Sequence, residues 1–271
     1  MGSSYERESR AAVEAARAAA ELIVRASASL DAETILEKGS HDLVTEFDHA
    51  AQEIIAERLL GEFPDHHLLG EEGEPRPAPS DSAAFRWIVD PIDGTTNFTR
   101  GLPPFSISIA LEHAGTVVVG VVLDPTRDEL FVARRGQGLW MNGRRARCSG
   151  TRTLDTALIA TGFPYRAVRH LPAFLEVLGE VIQRTHGFRR IGSAAVDLAY
   201  VAVGRLDAFY ETGLEAWDMA AGKLLVEEGG GRVTDLGGSA HVLTRQEILA
   251  SNGFVHDELV ALMGPLLRSR D

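Results

Sequence analysis

Asp90 and Asp93 stand three residues apart in the run Trp87-Ile-Val-Asp-Pro-Ile-Asp-Gly-Thr-Thr-Asn-Phe98. An apolar stretch delivers both carboxylates, Pro91 separates them, and Gly94, Thr95 and Thr96 follow at once. Two carboxylates at the end of a strand suit a hard divalent cation. Mg²⁺ takes oxygen donors and keeps positions open for water and a substrate phosphate. The Gly-Thr-Thr that follows is suited to open a helix, whose first backbone N–H groups face an anion. Cation ligands beside phosphate donors are what metal-assisted hydrolysis of a phosphate ester requires. Taken alone, Asp-Pro-x-Asp-Gly is also the composition of a plain turn.

Two further segments decide between these readings. Leu68-Leu69-Gly70-Glu71-Glu72-Gly73 runs an apolar pair into adjacent glutamates, which in isolation read as solvated loop acids. Asp218 follows Trp217 and heads an Ala-rich helical run, just after the strand-like Leu206–Tyr210. Asp is a favoured helix cap. Capping and metal binding are compatible, since one oxygen can cap while the other ligates.

With the weaker match Lys38-Gly-Ser-His-Asp-Leu-Val-Thr45-Glu-Phe-Asp48, these segments resemble the signatures of the inositol monophosphatase family of Mg²⁺-dependent, lithium-sensitive phosphatases. Thr161-Gly-Phe-Pro-Tyr165 is similar to the bacterial-type members. The resemblance implies an α+β / α/β fold, a layered αβαβα sandwich of the sugar-phosphatase kind. It implies metal ligation by Glu71, Asp90, Asp93, Asp218 and the Ile92 backbone carbonyl, around Mg²⁺ ions numbering about two to three. Pro91 interrupts strand pairing and can leave that carbonyl available.

The implied reaction is hydrolysis of inositol monophosphate to myo-inositol and phosphate by a metal-activated water, with no covalent phosphoenzyme. Glu71 and Thr95 would orient the water, with Asp48 hydrogen-bonded to Thr95. The Gly94 and Thr95 amides would hold the phosphate, and Asp93 is implied as substrate-binding as well as metal-ligating. Glu211 and the Gly192-Ser193-Ala194 turn would contact the sugar hydroxyls. Histidinol phosphate, fructose 1,6-bisphosphate and 3′-phosphoadenosine 5′-phosphate are rival substrates within the superfamily. A regulatory role, binding RNA-processing or transcription machinery with the same fold, is the alternative of a different class. The resemblance further implies a homodimer.

Composition sets outer bounds. The chain has 271 residues, 45% of them apolar and 24% charged, which supports a large core in one domain or two packed halves. No run is long and apolar enough to span a membrane. The polar N-terminus does not read as a signal peptide, and the single cysteine, Cys148, excludes an internal disulfide. A cytoplasmic location is the expectation. A net charge of −12 argues against general nucleic-acid binding. It also opposes an anionic substrate, unless bound cations reverse the local sign. The acidic cluster should repel itself without cations, raising its pKa values and weakening metal binding at low pH.

The positioning elements follow from periodicity and breakers. Helices are expected at Tyr5–Ser29 and Thr45–Phe63, with Thr45 as N-cap and Asp48 in the first turn. Glu74–Ser82 reads as a Pro-rich surface loop rooted at Glu71. Strands are expected at Phe105–Leu111, Thr116–Leu123, Glu129–Ala133 and Gly138–Met141, with a tight turn at Asn142-Gly143. Residues 1–150 thus comprise two helices and a mostly antiparallel sheet carrying most of the metal ligands. Residues 151–271 alternate strand and helix and carry the substrate residues and Asp218. Strands there are expected at Ala157–Thr161, Phe188–Ile191, Ala208–Glu211, Gly231–Thr234 and Ile248–Ser251. Helices are expected at Leu171–Arg184, Ala194–Val203, Trp217–Glu228 and Val255–Leu267.

Other chemistry-bearing residues receive structural readings. His66-His67 lacks metal-site spacing. Gly229-Gly230-Gly231 reads as a helix end. Arg144-Arg145-Ala-Arg147 reads as a solvated edge strand. Cys148 reads as packing.

Overall fold

The computed structural model describes residues 5–27, 35–37, 43–78, 84–165 and 168–268. Residues 38–42 of the Lys38–Asp48 segment and 79–82 of the Pro-rich loop therefore lie outside the described residues, as do residues 28 and 29 of the first expected helix. Helix α1 (Glu6–Ser27) buries Ala12, Ala16, Ala19 and Ile23 along one face, and α2 (Glu46–Glu62) buries Ala51, Ile55 and Leu59. Two helices so rich in alanine on their inner faces can lie close together and close to a sheet.

That sheet has seven strands in sequence order: β3 (His67–Gly70), β4 (Phe85–Asp93), β5 (Ser106–His113), β6 (Thr116–Asp124), β7 (Glu129–Arg134), β8 (Gly138–Met141) and β9 (Arg144–Ala146). Every neighbouring pair is antiparallel except β3 and β4. Asn142 and Gly143 both take positive φ in the turn before β9, as the Asn-Gly pair requires. A separate antiparallel pair, β1 (Ile35–Glu37) and β2 (Leu43–Thr45), precedes α2.

The second sheet has the order β11 (Gly187–Arg189), β10 (Leu158–Thr161), β12 (Ala208–Thr212), β14 (Glu247–Ser251), β13 (Arg232–Thr234). Its β10 pairs in parallel with both neighbours, while β14 is antiparallel to both of its own. Helices α5 (Ala194–Ala202) and α6 (Ala216–Glu228) fill the space between the two sheets. Helices α4 (Leu171–Arg184), α7 (His256–Leu262) and α8 (Gly264–Arg268) cover the outer face of the second. With α1 and α2 outside the first sheet, the layers run α, β, α, β, α. Gly120 of β6 lets α6 settle onto the first sheet: a Cβ there would lie 2.8 Å from the Ala221 carbonyl oxygen.

Two expectations need correction. The helix expected at Val255–Leu267 is two helices that break at Met263, because Pro265 has no N–H to carry the hydrogen-bond ladder on from α7 and sits instead in the first turn of α8. The helix expected from Trp217 starts at Ala216 with Glu215 as its cap, so Asp218 sits at the third helical position instead of heading the run. The described part of the segment after Glu71 lies at the surface and is tethered: Leu68 and Arg76 exchange backbone hydrogen bonds, and the Ala78 N–H donates to His67 Nδ1 at 2.9 Å. That contact also gives His67 a structural role.

Other readings hold. Strand β9 is the sheet edge, and α6 ends at Gly229. Burial pushes the Cys148 thiol up to about 11, leaving it protonated and inert. No helix among the described residues is long and apolar enough to cross a membrane.

Candidate active site

Strand β4 carries the centre of the site. Its pairing with β5 is regular from Phe85 to Asp90, then shifts register before Asp93. Pro91 causes the break, since it offers no N–H to the ladder. The bulge turns Asp90 and Asp93 toward the same side. The Ile92 N–H donates to Asp90 Oδ1 at 3.0 Å, and the Ile92 carbonyl accepts the Thr95 hydroxyl at 3.1 Å. Gly94 follows with φ of +93°, a conformation that strains any residue with a Cβ, and starts the one-turn helix α3 (Thr95–Thr99). The helix opening expected from Gly-Thr-Thr is therefore present, though short.

Asp218 reaches this point from α6. Its Oδ2 accepts the Glu215 N–H at 2.7 Å, so it closes the capping box from the third helical position, with Glu215 and not Asp218 as the N-cap. One carboxylate oxygen from each of Asp90, Asp93 and Asp218 lies within 4.8 Å of the others. Three acids from two elements 125 residues apart in the chain thus converge.

Glu71 approaches from the opposite edge of β4. The parallel register pairs Gly70 with Val89, which places Glu71 next to Asp90, and the Glu71 N–H donates to the Val89 carbonyl at 3.1 Å. Glu71 is not within the tight three-acid group. It does act electrostatically on Asp90. Asp48, buried in the first turn of α2, lies 3.5 Å from the Thr95 hydroxyl and shares its single proton with the nearer Ile92 carbonyl. The Asp48–Thr95 pair expected from the sequence is therefore in place.

The electrostatics are lopsided. Asp90 is 1% exposed, and burial pushes its carboxyl well above the usual range. Glu71, Asp93, Asp218 and Asp48 each push it further the same way. Burial also raises Asp93, offset by hydrogen bonds from Ser193, Ala195 and Ala194 and by the Arg190 charge. A buried group of acids whose donors are all oxygens, and which destabilise one another's charge, is the donor set a hard divalent cation requires.

The Gly192-Ser193-Ala194 turn, expected at the sugar, is occupied with Asp93. The Ser193 hydroxyl donates to Asp93 Oδ2, as does the Ala195 N–H at 2.7 Å, while the Ala194 N–H lies 3.3 Å from Oδ1. A carboxylate so placed at the start of α5 gains from the helix dipole. Gly192 has φ of +102°, and a Cβ would collide with Arg190 and Asn97. Asn97 in turn donates to the carbonyls of Pro104 and Ile191, at 2.8 and 3.0 Å.

Glu211 lies near the end of β12. The parallel register pairs Thr161 with Tyr210, which sets Gly162 against Glu211. A Cβ on Gly162 would fall 1.9 Å from Glu211 Oε1, so only glycine leaves room for the carboxylate there. Three further residues, which no sequence motif marks, complete this side. Arg190 lies over the rings of Phe163 and Tyr165. Asp197 of α5 is buried, and its Oδ1 makes no hydrogen bond among the described residues. Burial holds its carboxyl well above the usual range, with Glu211 and Asp93 adding to the effect. Ser106 contacts both Ser193 and Asp93. Their sequence contexts are ordinary, and only the meeting of β5, α5 and β12 marks them.

The model of the inositol monophosphatase family matches residues 4–266. The chain belongs to this family. It is 45% identical over 258 residues to the Nus factor SuhB of Pseudomonas aeruginosa, covering 94% of this chain and 95% of that relative. It is 43% identical to an inositol-1-monophosphatase of Mesorhizobium japonicum, covering 86% and 87%. Among solved structures, the fold matches the extragenic suppressor protein suhB of Bartonella henselae with a TM-score of 0.89 at 41% identity, covering 94% and 97%. It matches an IMPase of Thermotoga maritima with a TM-score of 0.85 at 34% identity, covering 96% and 97%. The inositol monophosphatase family member described here therefore keeps the fold of these relatives across nearly its whole length. Its αβαβα layers and acidic cluster agree with a phosphatase.

Proposed function

We propose that this protein hydrolyses the phosphate ester of a small polyol with the help of Mg²⁺, and that inositol monophosphate is the substrate to test first. The observation that carries the reading is the convergence of Asp90, Asp93 and Asp218, with Glu71 acting on Asp90 from the adjacent strand. These residues and the Ile92 carbonyl would hold the cation. When bound, Mg²⁺ supplies acidification of a water and charge stabilisation on the phosphoryl and leaving oxygens. Asp48 and Thr95 fix a hydroxyl at the edge of the acid cluster, where it can orient that water. The Gly94 and Thr95 amides offer donors to phosphate oxygens. Asp93 keeps its position through α5, so the chain that binds the polyol also aims a metal ligand. The direct test is phosphate release across a panel of inositol, histidinol, fructose and adenosine phosphates, with and without Mg²⁺. No Mg²⁺-dependent release from any of them would end the proposal.

Glu211→Gln should alter substrate choice more than rate. An ionised carboxylate accepting a polyol hydroxyl contributes about 1.5–3 kcal/mol. We expect the variant to lose roughly one to two decades of kcat/KM for inositol phosphate. On p-nitrophenyl phosphate, which has no such hydroxyl, the loss should be much smaller. Equal losses on the two compounds would assign Glu211 to the metal site or the fold. No loss on either would leave it a solvated acid.

Lithium should inhibit, and so should excess Mg²⁺. Li⁺ is small and hard like Mg²⁺ but carries half the charge, so it can occupy an oxygen site without supporting the chemistry. Turnover unchanged in roughly tens of millimolar LiCl, a range suited to weak monovalent binding, would place the chain outside the lithium-sensitive branch.

A second reading has its own support, because several relatives above 40% identity are named Nus factor SuhB. Under it, this chain would also act as a Nus factor. Pull-down with a catalytically silent Asp93→Asn protein separates that role from catalysis.

A further inference from the structure

Helix α2 presents three polar residues to the active-site end of β3 and β4. Asp48 meets Thr95, and His49 Nε2 lies 3.3 Å from the buried Glu72 carboxylate. The third, Gln52, is 3% exposed. Its Oε1 accepts the Glu72 N–H at 2.9 Å, and its Nε2 donates to the Glu72 carbonyl. One side-chain amide thus pairs with both backbone groups of one residue, as a neighbouring strand would. It does so where strand pairing stops, since β3 ends at Gly70.

Glu71 is fixed from both sides as a result. Its own N–H is tied to Val89 on β4, and the peptide that follows it is tied to Gln52. With the peptide on each side anchored, the backbone torsions of Glu71 have little freedom, and the Cα–Cβ bond from which its side chain starts keeps its direction beside Asp90. Gly70 makes the arrangement possible. A Cβ there would lie 2.1 Å from Gln52 Oε1, in the space the amide fills.

We propose that Gln52 is a positioning residue: its amide, seated over Gly70 and paired to both backbone groups of Glu72, holds Glu71 beside Asp90 and thereby sets the affinity of the site for its divalent cation. The assignment rests on the metal-dependent reading of the acid cluster given above. Leucine at this position keeps the volume and loses both hydrogen bonds. Alanine at Gly70 keeps Gln52 but drives its amide out of the same space.

The test is Mn²⁺ binding by electron paramagnetic resonance, with kcat and the Mg²⁺ activation constant measured beside it. Gln52→Leu and Gly70→Ala should each weaken Mn²⁺ binding roughly 10–100-fold, the usual cost of losing a partner that orients a metal ligand. Ile55→Ala removes buried volume from the same helix and serves as the stability control. It should lower Tm and leave Mn²⁺ affinity as in the wild type. If Gln52→Leu fails to fold, Gly70→Ala decides. Wild-type Mn²⁺ binding with affinities in the variants within about threefold of it would overturn the role of Gln52 and leave the phosphatase reading standing. Ile55→Ala weakening the metal as much as Gln52→Leu would also overturn it, by showing that any loosening of α2 suffices. A wild-type protein that binds no Mn²⁺ and shows no Mg²⁺-dependent turnover would overturn both.

Discussion

Asp93→Asn should lower turnover by roughly three decades or more, the rate equivalent of losing several kcal/mol of transition-state stabilisation with a metal ligand. The structure adds a second consequence. The Asp93 carboxylate accepts from Ala195, Ala194 and Ser193, and it joins β4 to α5 across the middle of the molecule. Asparagine keeps the volume and one acceptor oxygen. It turns charge-assisted bonds into neutral ones, at a cost of about 1–2 kcal/mol. The variant should therefore fold, with a modest fall in Tm. The measurement is kcat at saturating Mg²⁺, with circular dichroism to confirm the fold. Activity above about a tenth of wild type would remove Asp93 from the metal site.

In the metal-free protein, stability should fall as pH rises above the ordinary carboxylate range, and Mg²⁺ should restore it. Burial, then Glu71, Asp93, Asp218 and Asp48, all raise the Asp90 carboxyl in the folded state. In the unfolded chain it ionises at its ordinary value. The stability this group permits is therefore fully present below the unfolded pKa and lost as pH rises through the folded one. Bound cation reverses the sign, because it favours the ionised acids. Mg²⁺ at about 100 times its Kd adds about 2.7 kcal/mol, or roughly 5–10 °C in Tm for a chain of this size. That gain should shrink in acid, where protons compete for the ligands. Asp90→Asn should lose most of the Mg²⁺ gain and, without metal at the alkaline end of the range, melt at or above wild type. Thermal scans with EDTA and with Mg²⁺ across this pH range provide the check. A metal-free wild type that gains stability toward alkaline pH would contradict the account.

The acidic cluster was legible because its members carry local chemistry. Asp90 and Asp93 announce themselves by the proline between them and the Gly-Thr-Thr after them, and the register break at Pro91 follows from one missing N–H. Asp218 was legible as an acid at a helix start. Its place at the third turn position instead of the cap was not, because Glu215 can cap equally well. Strand β3 escaped notice because four residues carry too little periodicity, yet its parallel register is what sets Glu71 beside Asp90.

Sequence by itself determined the family, through its signatures, and the acids that meet at the site; the layered fold followed from the family resemblance. Residue type and short spacing suffice for the signatures, because strand ends and helix starts build them locally. Tertiary structure alone decided how the acids are aimed. Ser193 and Ala195 hold Asp93 from about a hundred residues away, Gly162 makes room for Glu211, and Gln52 pairs with Glu72. A buried glutamine or serine looks the same in sequence whether it supports a site or fills a core. What distinguishes the two is the identity of its hydrogen-bond partner, and that partner is fixed only when distant segments pack together.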